Sequence, residues 1–499
     1  MMEEGQNYPK ITDKRIKIEE HMEKGGDDKI SALPDCVLHE ILSRLPSTKY
    51  AIRTGTLSKR WTHLWTCVTT LILKFSYDPY RCLENPNLIS DFPNLISDFV
   101  LSVSKTITQC RQLKKFKVDT FYDMQFEVQY NNWIRHAISC NVEELDLNFR
   151  SLGRELDESP ADELELDQSN FFINSLFTDL RLSGLTLNPS GVISWKNLRS
   201  LCISSQNLNE ELIVNILSGS PLLENLCLES DVMTVESDDE FEDLYTSQWP
   251  QLKHLKKFKL SAVCHDLYVR SWIRYVIKCN VKNICISLLW DPACGHGFPI
   301  DEIIFTSSCV TDLRLDRCMI NPIGAISWKN LKSLHISDCC LNEVMIENLL
   351  SGSPISETLV LDGCCGYNRL DITSNSVKNL VLSGYKASYN DSETTDAIEI
   401  NAPNIISLTI QNEMIMRTFL LGNVSSLVKA NLNYHFRSIW FERETMPMEV
   451  EEMHKNHMMN LGHVKELKIG DLCYEAFSCL RDKGFVFPSN VKFPDQLKG

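Results

Sequence analysis

The strongest constraint on this chain is that its middle is written twice. Thr178-Asp179-Leu180-Arg181-Leu182 returns as Thr311-Asp312-Leu313-Arg314-Leu315, and Ile193-Ser194-Trp195-Lys196-Asn197-Leu198 returns as Ile326-Ser327-Trp328-Lys329-Asn330-Leu331. At the same offset, Leu217-Ser218-Gly219-Ser220-Pro221 returns as Leu350-Ser351-Gly352-Ser353-Pro354. Upstream, Trp133-Ile134-Arg135 with Cys140-Asn141-Val142 is answered by Trp272-Ile273-Arg274 with Cys279-Asn280-Val281. A block from roughly residue 110 to 231 is thus duplicated at roughly 253 to 364. A fold that accepts such a copy grows by adding units along one direction, because each unit then meets only its neighbours.

A shorter period runs inside each copy. Apolar residues at spacings of three and then two recur as Val142/Leu145/Leu147, Leu198/Leu201/Ile203, Leu223/Leu226/Leu228, Leu255/Phe258/Leu260 and Val281/Ile284/Ile286. They continue as Val310/Leu313/Leu315, Leu331/Leu334/Ile336, Val377/Leu380/Leu382, Ile405/Leu408/Ile410 and Val464/Leu467/Ile469. The spacing of about 22 to 32 residues and the L-x-x-L-x-L form resemble leucine-rich repeats. Leu315 leads to Cys318 and Ile320, and Ile336 to Cys339 and Leu341, as in the extended form of that repeat. Cysteine there is a small buried group facing backbone, which accounts for Cys318, Cys339 and Cys364 without chemistry.

Amphipathic segments predict helices between the strands. Asn132 to Ile138 pairs with Ser271 to Lys278, and Asn209 to Leu217 with Asn342 to Leu350. The second pair ends in Ser-Gly-Ser-Pro, where glycine suits a left-handed residue after the helix and proline blocks its continuation. The expected fold class is α/β: a curved solenoid over residues 75 to 435, with a parallel sheet inside and helices outside, closed by residues 436 to 499. Within that closing segment, Phe436 to His457 is Met- and Glu-rich and reads as helical. A local duplication, Pro86 to Phe92 followed at once by Pro93 to Phe99, spans seven residues per copy. Seven residues are nearly two helical turns, so the copy preserves helical phase, and Pro93 is expected to start the helix continuing through Val100, Val103 and Ile107.

A smaller unit precedes the repeats. Pro34 suits a first helical turn, and Val37, Leu38, Ile41, Leu42 and Leu45 line one side of the helix that follows. Pro46 stops it, Ser47 is placed to cap a second helix through Ala51 and Ile52, and Ser58 a third through Trp61, Leu64 and Trp65. Three short helices over residues 29 to 74 bury little alone, which points to a docking module. The order Leu33-Pro34-Asp35, Leu38, Ile41-Leu42-Ser43, Leu45-Pro46, Ala51-Ile52-Arg53-Thr54, Leu57-Ser58-Lys59-Arg60-Trp61, Leu64-Trp65 resembles the plant F-box family. Tyr50 stands where that family commonly has an acidic residue and Gly55 where it has serine; a glycine inside the second helix would weaken it by about 1 kcal/mol.

The resemblance implies a small three-helix F-box followed by leucine-rich repeats. It implies a Skp1-like adaptor as partner and, through it, a cullin and a RING subunit. The chain would then be the non-catalytic substrate-recognition subunit of an SCF-type ubiquitin ligase, its repeats holding a substrate protein. Contact with the adaptor is expected from Leu33, Pro34, Leu38, Ile41, Leu42, Arg53, Leu57 and Lys59, with Trp61 internal. A receptor for a small ligand and a scaffold without ligase role are the alternatives. Residues His463 to Gly499 resemble the closing segment of the same family.

Composition excludes more than it selects. A net charge of −16 opposes general nucleic-acid binding. The docking unit is locally basic, so a helix-turn-helix DNA reader competes there, although Leu33, Leu38 and Ile41 read better as an interface. Nineteen cysteines without a leader of signal-peptide form imply free thiols in a reducing compartment. With no apolar run of membrane-spanning length, the expectation is a nuclear or cytoplasmic protein. Lys14-Arg15-Ile16-Lys17 is a short basic run in a polar tail, residues 1 to 28, expected to be disordered. Acidic loops at Glu155 to Asp167 and Glu229 to Asp243 read as solvated linkers, or as a surface for a basic partner. No catalytic motif stands out, and neither cofactor nor metal is expected: there is no C-x-x-C, and Cys294-Gly295-His296 alone cannot supply zinc's four ligands.

Overall fold

A computed structural model of the protein describes residues 30, 32–75, 87–151, 163–166, 168–205, 208–230, 249–263, 267–289, 298–385, 397–414, 418–436 and 448–492. The N-terminal tail with its basic run, Cys294-Gly295-His296 and most of both acidic loops lie outside them.

Among the described residues, sixteen strands form one sheet whose spatial order is the chain order, from Thr70–Lys74 at one edge to Val491–Lys492 at the other. Every pairing in it is parallel. Alternation decides which way each strand faces: in Ser333–Ser337, Leu334 and Ile336 are buried while the residues beside them are partly exposed. The buried side chains form one continuous core from Leu38 to Leu480. All ten strand motifs expected from the sequence lie in this sheet. Others escaped the pattern because a repeat needs a small or apolar filler, not leucine itself: Phe177, Ser356 and Ala430 take its positions in Phe177/Leu180/Leu182, Ser356/Leu359/Leu361 and Leu427/Ala430/Leu432, all buried.

The second layer is mixed. Helices Glu127–Ser139, Glu210–Gly219, Leu267–Lys278 and Glu343–Ser351 cover part of the sheet's buried face. Toward the C-terminal end, short strands replace them, Arg369–Asp371, Ala397–Asn401 and Thr418–Leu421 forming a three-stranded sheet of their own. Beyond these, Met448–Asn460 is a helix in the Met-rich segment that runs three residues past His457, while residues 437–447 of that segment lie outside the described ones.

Several hydrogen bonds of the duplicated block recur in both copies. The indole N–H of Trp195 donates to the Phe171 carbonyl at 2.9 Å and that of Trp328 to the Ile304 carbonyl at 2.7 Å, both rings fully buried. Asn197 donates to the Ser175 carbonyl and Asn330 to that of Ser308. Asn209 and Asn342 cap equivalent helices, accepting from Leu212 and Met345 N–H at 2.9 and 2.8 Å. Cys140-Asn141 and Cys279-Asn280 end equivalent helices with asparagine in the left-handed region, at φ 59° and 57°, a conformation asparagine tolerates better than most residues.

Three local expectations change. Gly219 and Gly352 are not left-handed: Gly219 is the last residue of its helix and Gly352 has φ −74°. They are glycine because the chain passes too close. A Cβ on Gly219 would collide with the Ile193 carbonyl, and one on Gly352 would sit 2.7 Å from the Ile326 carbonyl oxygen. Both glycines also accept, through their carbonyls, the backbone N–H of Trp195 and Trp328. Pro93 lies inside the helix Asn87–Ile107 and does not start it. In-phase repetition supports that continuity, since Phe92 and Phe99 both reach Phe75, with ring centroids 5.9 and 5.4 Å away. Gly55 is the residue after the helix Thr48–Thr54, outside its interior, so the helix-interior penalty does not apply.

Candidate docking face and repeat groove

The helical module is built as its sequence predicts, with adjusted ends. The first helix is Asp35–Ser43, with Pro34 extended just before it at ψ 149°. Ser47 caps the second, accepting from Lys49 N–H. The third, Trp61–Leu64, starts after Arg60, and Ser58 contributes its backbone carbonyl to Trp61, not a side-chain cap. Two hydroxyls tie the module to the sheet: Thr48 Oγ1 accepts from Ile72 N–H at 2.8 Å, and Ser43 Oγ from Thr69 N–H at 3.1 Å. The module therefore packs directly against the first strand of the sheet.

Of the residues expected to meet a partner, Leu38 and Leu42 are buried at 0% and 3% exposure. This is a correction with a simple cause: the apolar stripe is wider than one contact face, and the i, i+4 pair Leu38/Leu42 points inward while the neighbouring pair Val37/Ile41 points out. Val37, Ile41, Ile52 and Leu57 are exposed at 40, 43, 37 and 68%. Pro34, Arg53 and Lys59 are exposed and Leu33 half-buried. Val37, Tyr50 and Ile52 add to the exposed apolar side chains of the module; for Val37 the signal in the sequence is the one-residue doubling of the stripe, 37/38 and 41/42. The entry to the first helix is held by Arg60, whose guanidinium donates to the Asp35 carboxylate at 3.0 Å and to the Leu33 carbonyl at 2.6 Å.

The second feature lies on the open side of the sheet. Register aligns one residue per strand in a row: Lys117, Asp146, Arg181, Cys202, Cys227, Lys259, Cys285, Arg314 and His335. The middle of this row floors a groove of about 510 Å³. Arg181 and Arg314 are the arginines of the two Thr-Asp-Leu-Arg-Leu copies, so the duplication places a cation at each side of the thiol-bearing strands. Lys259 donates to the Glu229 carboxylate at 2.5 Å, and Arg199 and Lys256 both grip Glu224 at 2.6 Å. Cys202 and Cys227 are direct neighbours and influence each other: the hydrogen bond from Cys227 holds the Cys202 thiol below the usual range, while the same bond and burial push Cys227 up. Burial raises Cys285 and lowers His335, the latter with help from Arg314.

Three further thiols, in the turns after repeat strands, have structural partners. Cys318, Cys339 and Cys364 are buried at 4, 2 and 1% exposure. Their thiols reach the carbonyls of Asp316, Ser337 and Ile336 at 3.3, 3.1 and 3.3 Å. No disulfide forms among the described residues' cysteines, and no helix among them is long and apolar enough to cross a membrane.

Known proteins match both parts. The F-box domain family model matches residues 30–70, and the model described as At1g61320/AtMIF1, LRR domain, matches residues 251–469. F-box/LRR-repeat protein 25 of Arabidopsis thaliana is 32% identical over 205 residues, covering 41% of this chain and 68% of the relative. F-box protein At5g03100 is 34% identical over 206 residues, 41% of this chain and 57% of the relative, and putative F-box protein At1g49610 is 35% identical over 271 residues, 52% and 59%, both from Arabidopsis thaliana. The chain thus spans about two thirds of the first relative's length and less of the others'. A helical module carrying the Leu33-Pro34-Asp35 and Leu57-to-Trp61 motifs, leading directly into a parallel sheet of leucine-rich repeats, places this chain in the plant F-box/LRR-repeat family.

Proposed function

We propose that this protein is the substrate-recognition subunit of an SCF-type ubiquitin ligase. In this reading the helical module docks on a Skp1-like adaptor, which links it to a cullin and a RING subunit, and the open face of the repeat sheet holds the substrate. The observation that carries it is the set of exposed apolar side chains Val37, Ile41, Ile52 and Leu57 on a module of barely forty residues. Such side chains are costly to leave in water unless a partner covers them. Leu33 and Pro34, held by Arg60, extend that set; Arg53 and Lys59 flank it, and Leu38 and Leu42 support it from beneath. The chain's contribution to catalysis is then proximity, since a substrate lysine held near a charged thioester reacts as if highly concentrated. The compartments of that machinery, nucleus and cytoplasm, are the proposed location.

The test is capture of a plant Skp1-like adaptor by the full chain. Capture is expected from the wild type and lost in Ile41→Asp/Leu57→Asp with the thermal transition unchanged. Undiminished capture by that variant refutes the docking face.

A further inference from the structure

Two thiols and a carboxylate meet on the floor of the repeat groove in a way no local sequence motif announces. Cys202 and Cys227 are register partners on neighbouring parallel strands, and Glu229 lies two residues beyond Cys227 on the same side. One ligand atom from each, two sulfurs and a carboxylate oxygen, lie within 4.8 Å of one another. The Cys227 sulfur is 3.5 Å from a Glu229 oxygen. A tetrahedral ion with sulfur at about 2.3 Å and carboxylate oxygen at about 2.0 Å requires edges of about 3.8 Å between sulfurs and about 3.5 Å from sulfur to oxygen. The three side chains therefore need only small rotations to share one ion.

We propose that Cys202, Cys227 and Glu229 bind one thiophilic divalent cation, with zinc the ion whose ligand preferences they match. Three protein ligands leave a fourth position, and here it opens into the groove of about 510 Å³. That is the arrangement of a site keeping one place for water or an incoming side chain rather than of a closed structural site. Charge is consistent with it. Two thiolates and a carboxylate around a dication leave one net negative charge, and Lys259, bonded to Glu229 at 2.5 Å, neutralises it in place. The oxygen facing the Cys227 sulfur, Oε1, is the one that Lys259 bonds; a carboxylate oxygen carries two lone pairs, so Glu229 serves lysine and metal together through it. On a surface that holds a substrate, an imidazole or thiolate from that substrate can fill the open position. The site itself requires neither the adaptor nor the ligase reading.

Cobalt is the probe, because thiolate ligation gives it sulfur-to-metal charge-transfer absorption and a tetrahedral site gives it intense visible bands. Metal-free, reduced, full-length protein titrated with Co²⁺ is expected to develop both signals at one equivalent and lose them to Zn²⁺. Cys202→Ser and Cys227→Ser each abolish the charge-transfer band. Glu229→Gln, which keeps both thiols, lowers cobalt affinity at least about tenfold, the lower bound for losing even an outer-shell partner. Cys285→Ser, on the same face but beyond Lys259, leaves the titration unchanged. Circular dichroism confirms that each variant is folded; if either serine variant is not, Glu229→Gln and Cys285→Ser decide between them. Absence of a stoichiometric charge-transfer band in the wild type, its persistence in folded Cys202→Ser and Cys227→Ser, or equal loss in Cys285→Ser overturns the proposal.

Discussion

The guanidinium of Arg60 holds the Asp35 carboxylate at 3.0 Å, joining the two ends of the helical module. The same group takes the Leu33 carbonyl, so the last motif of the module fixes the first. An exposed ion pair contributes about 1 kcal/mol or less to stability. Arg60→Ala is therefore expected to leave the melting temperature nearly unchanged while weakening adaptor binding severalfold, because Leu33 and Pro34 are no longer held. Calorimetric titration with a Skp1-like adaptor measures this, and unchanged affinity argues against Arg60 as the positioning residue.

Neighbouring side chains on the first helix should separate cleanly. Leu38→Ala opens a cavity in the core and is expected to destabilise the module by about 2–5 kcal/mol. Ile41→Asp, on the exposed side, is expected to leave the melt alone and remove adaptor binding. Thermal melts and capture of the adaptor on the same preparations give both answers; a stable Leu38→Ala would mean that the module's core lies elsewhere.

The duplicated positions predict matched losses. Trp195→Ala and Trp328→Ala each remove a fully buried indole and its bond to a carbonyl, at an expected cost of about 3–5 kcal/mol. Gly219→Ala and Gly352→Ala each force a methyl against backbone of the preceding loop, for about 1–3 kcal/mol. Denaturant titration of the four variants should give similar values within each pair. A pair that differs by more than the spread within a pair's expected range shows that the copies have diverged in packing.

Acid sensitivity is expected from the closing segment. His457 is fully buried, with Nε2 at 2.9 Å from the Phe419 carbonyl. Burial, reinforced by His454, holds its pKa near about 3, down from 6.5. Between those two values the unfolded chain binds a proton that the folded chain refuses, so stability falls as pH drops. Each unit below 6.5 costs about 1.4 kcal/mol from this group, and above 6.5 its contribution is complete. Melting temperature measured from pH 7.5 to 5 should decline from about 6.5 downward in the wild type and stay flatter in His457→Phe; identical slopes would remove His457 as the cause.

Much of this protein is readable without coordinates. The Ile-Ser-Trp-Lys-Asn-Leu copies, the Cys-Asn-Val helix ends and the ten strand motifs follow from local periodicity, because in a stack of repeats the contacts that matter are made by near neighbours in the chain. The same locality made the F-box legible, since its motif is a run of short helices. What periodicity could not supply was the direction each side chain takes. Val37 and Leu38 are equally apolar, and only packing turned one outward and buried the other. Gly219 and Gly352 look like turn glycines, and only the approach of Ile193 and Ile326 shows that they are there for space. Cys202 and Cys227 fill the same position of successive Leu-x-x-Leu-x-Leu motifs, so their pairing is legible in the sequence, but that the Glu229 carboxylate turns toward both thiols is not. By itself, then, the sequence determined the family, the stacking and the likeness of the two halves. The tertiary structure decided which side chains face a partner and which converge in the groove, because those depend on how side chains turn and pack between elements tens of residues apart.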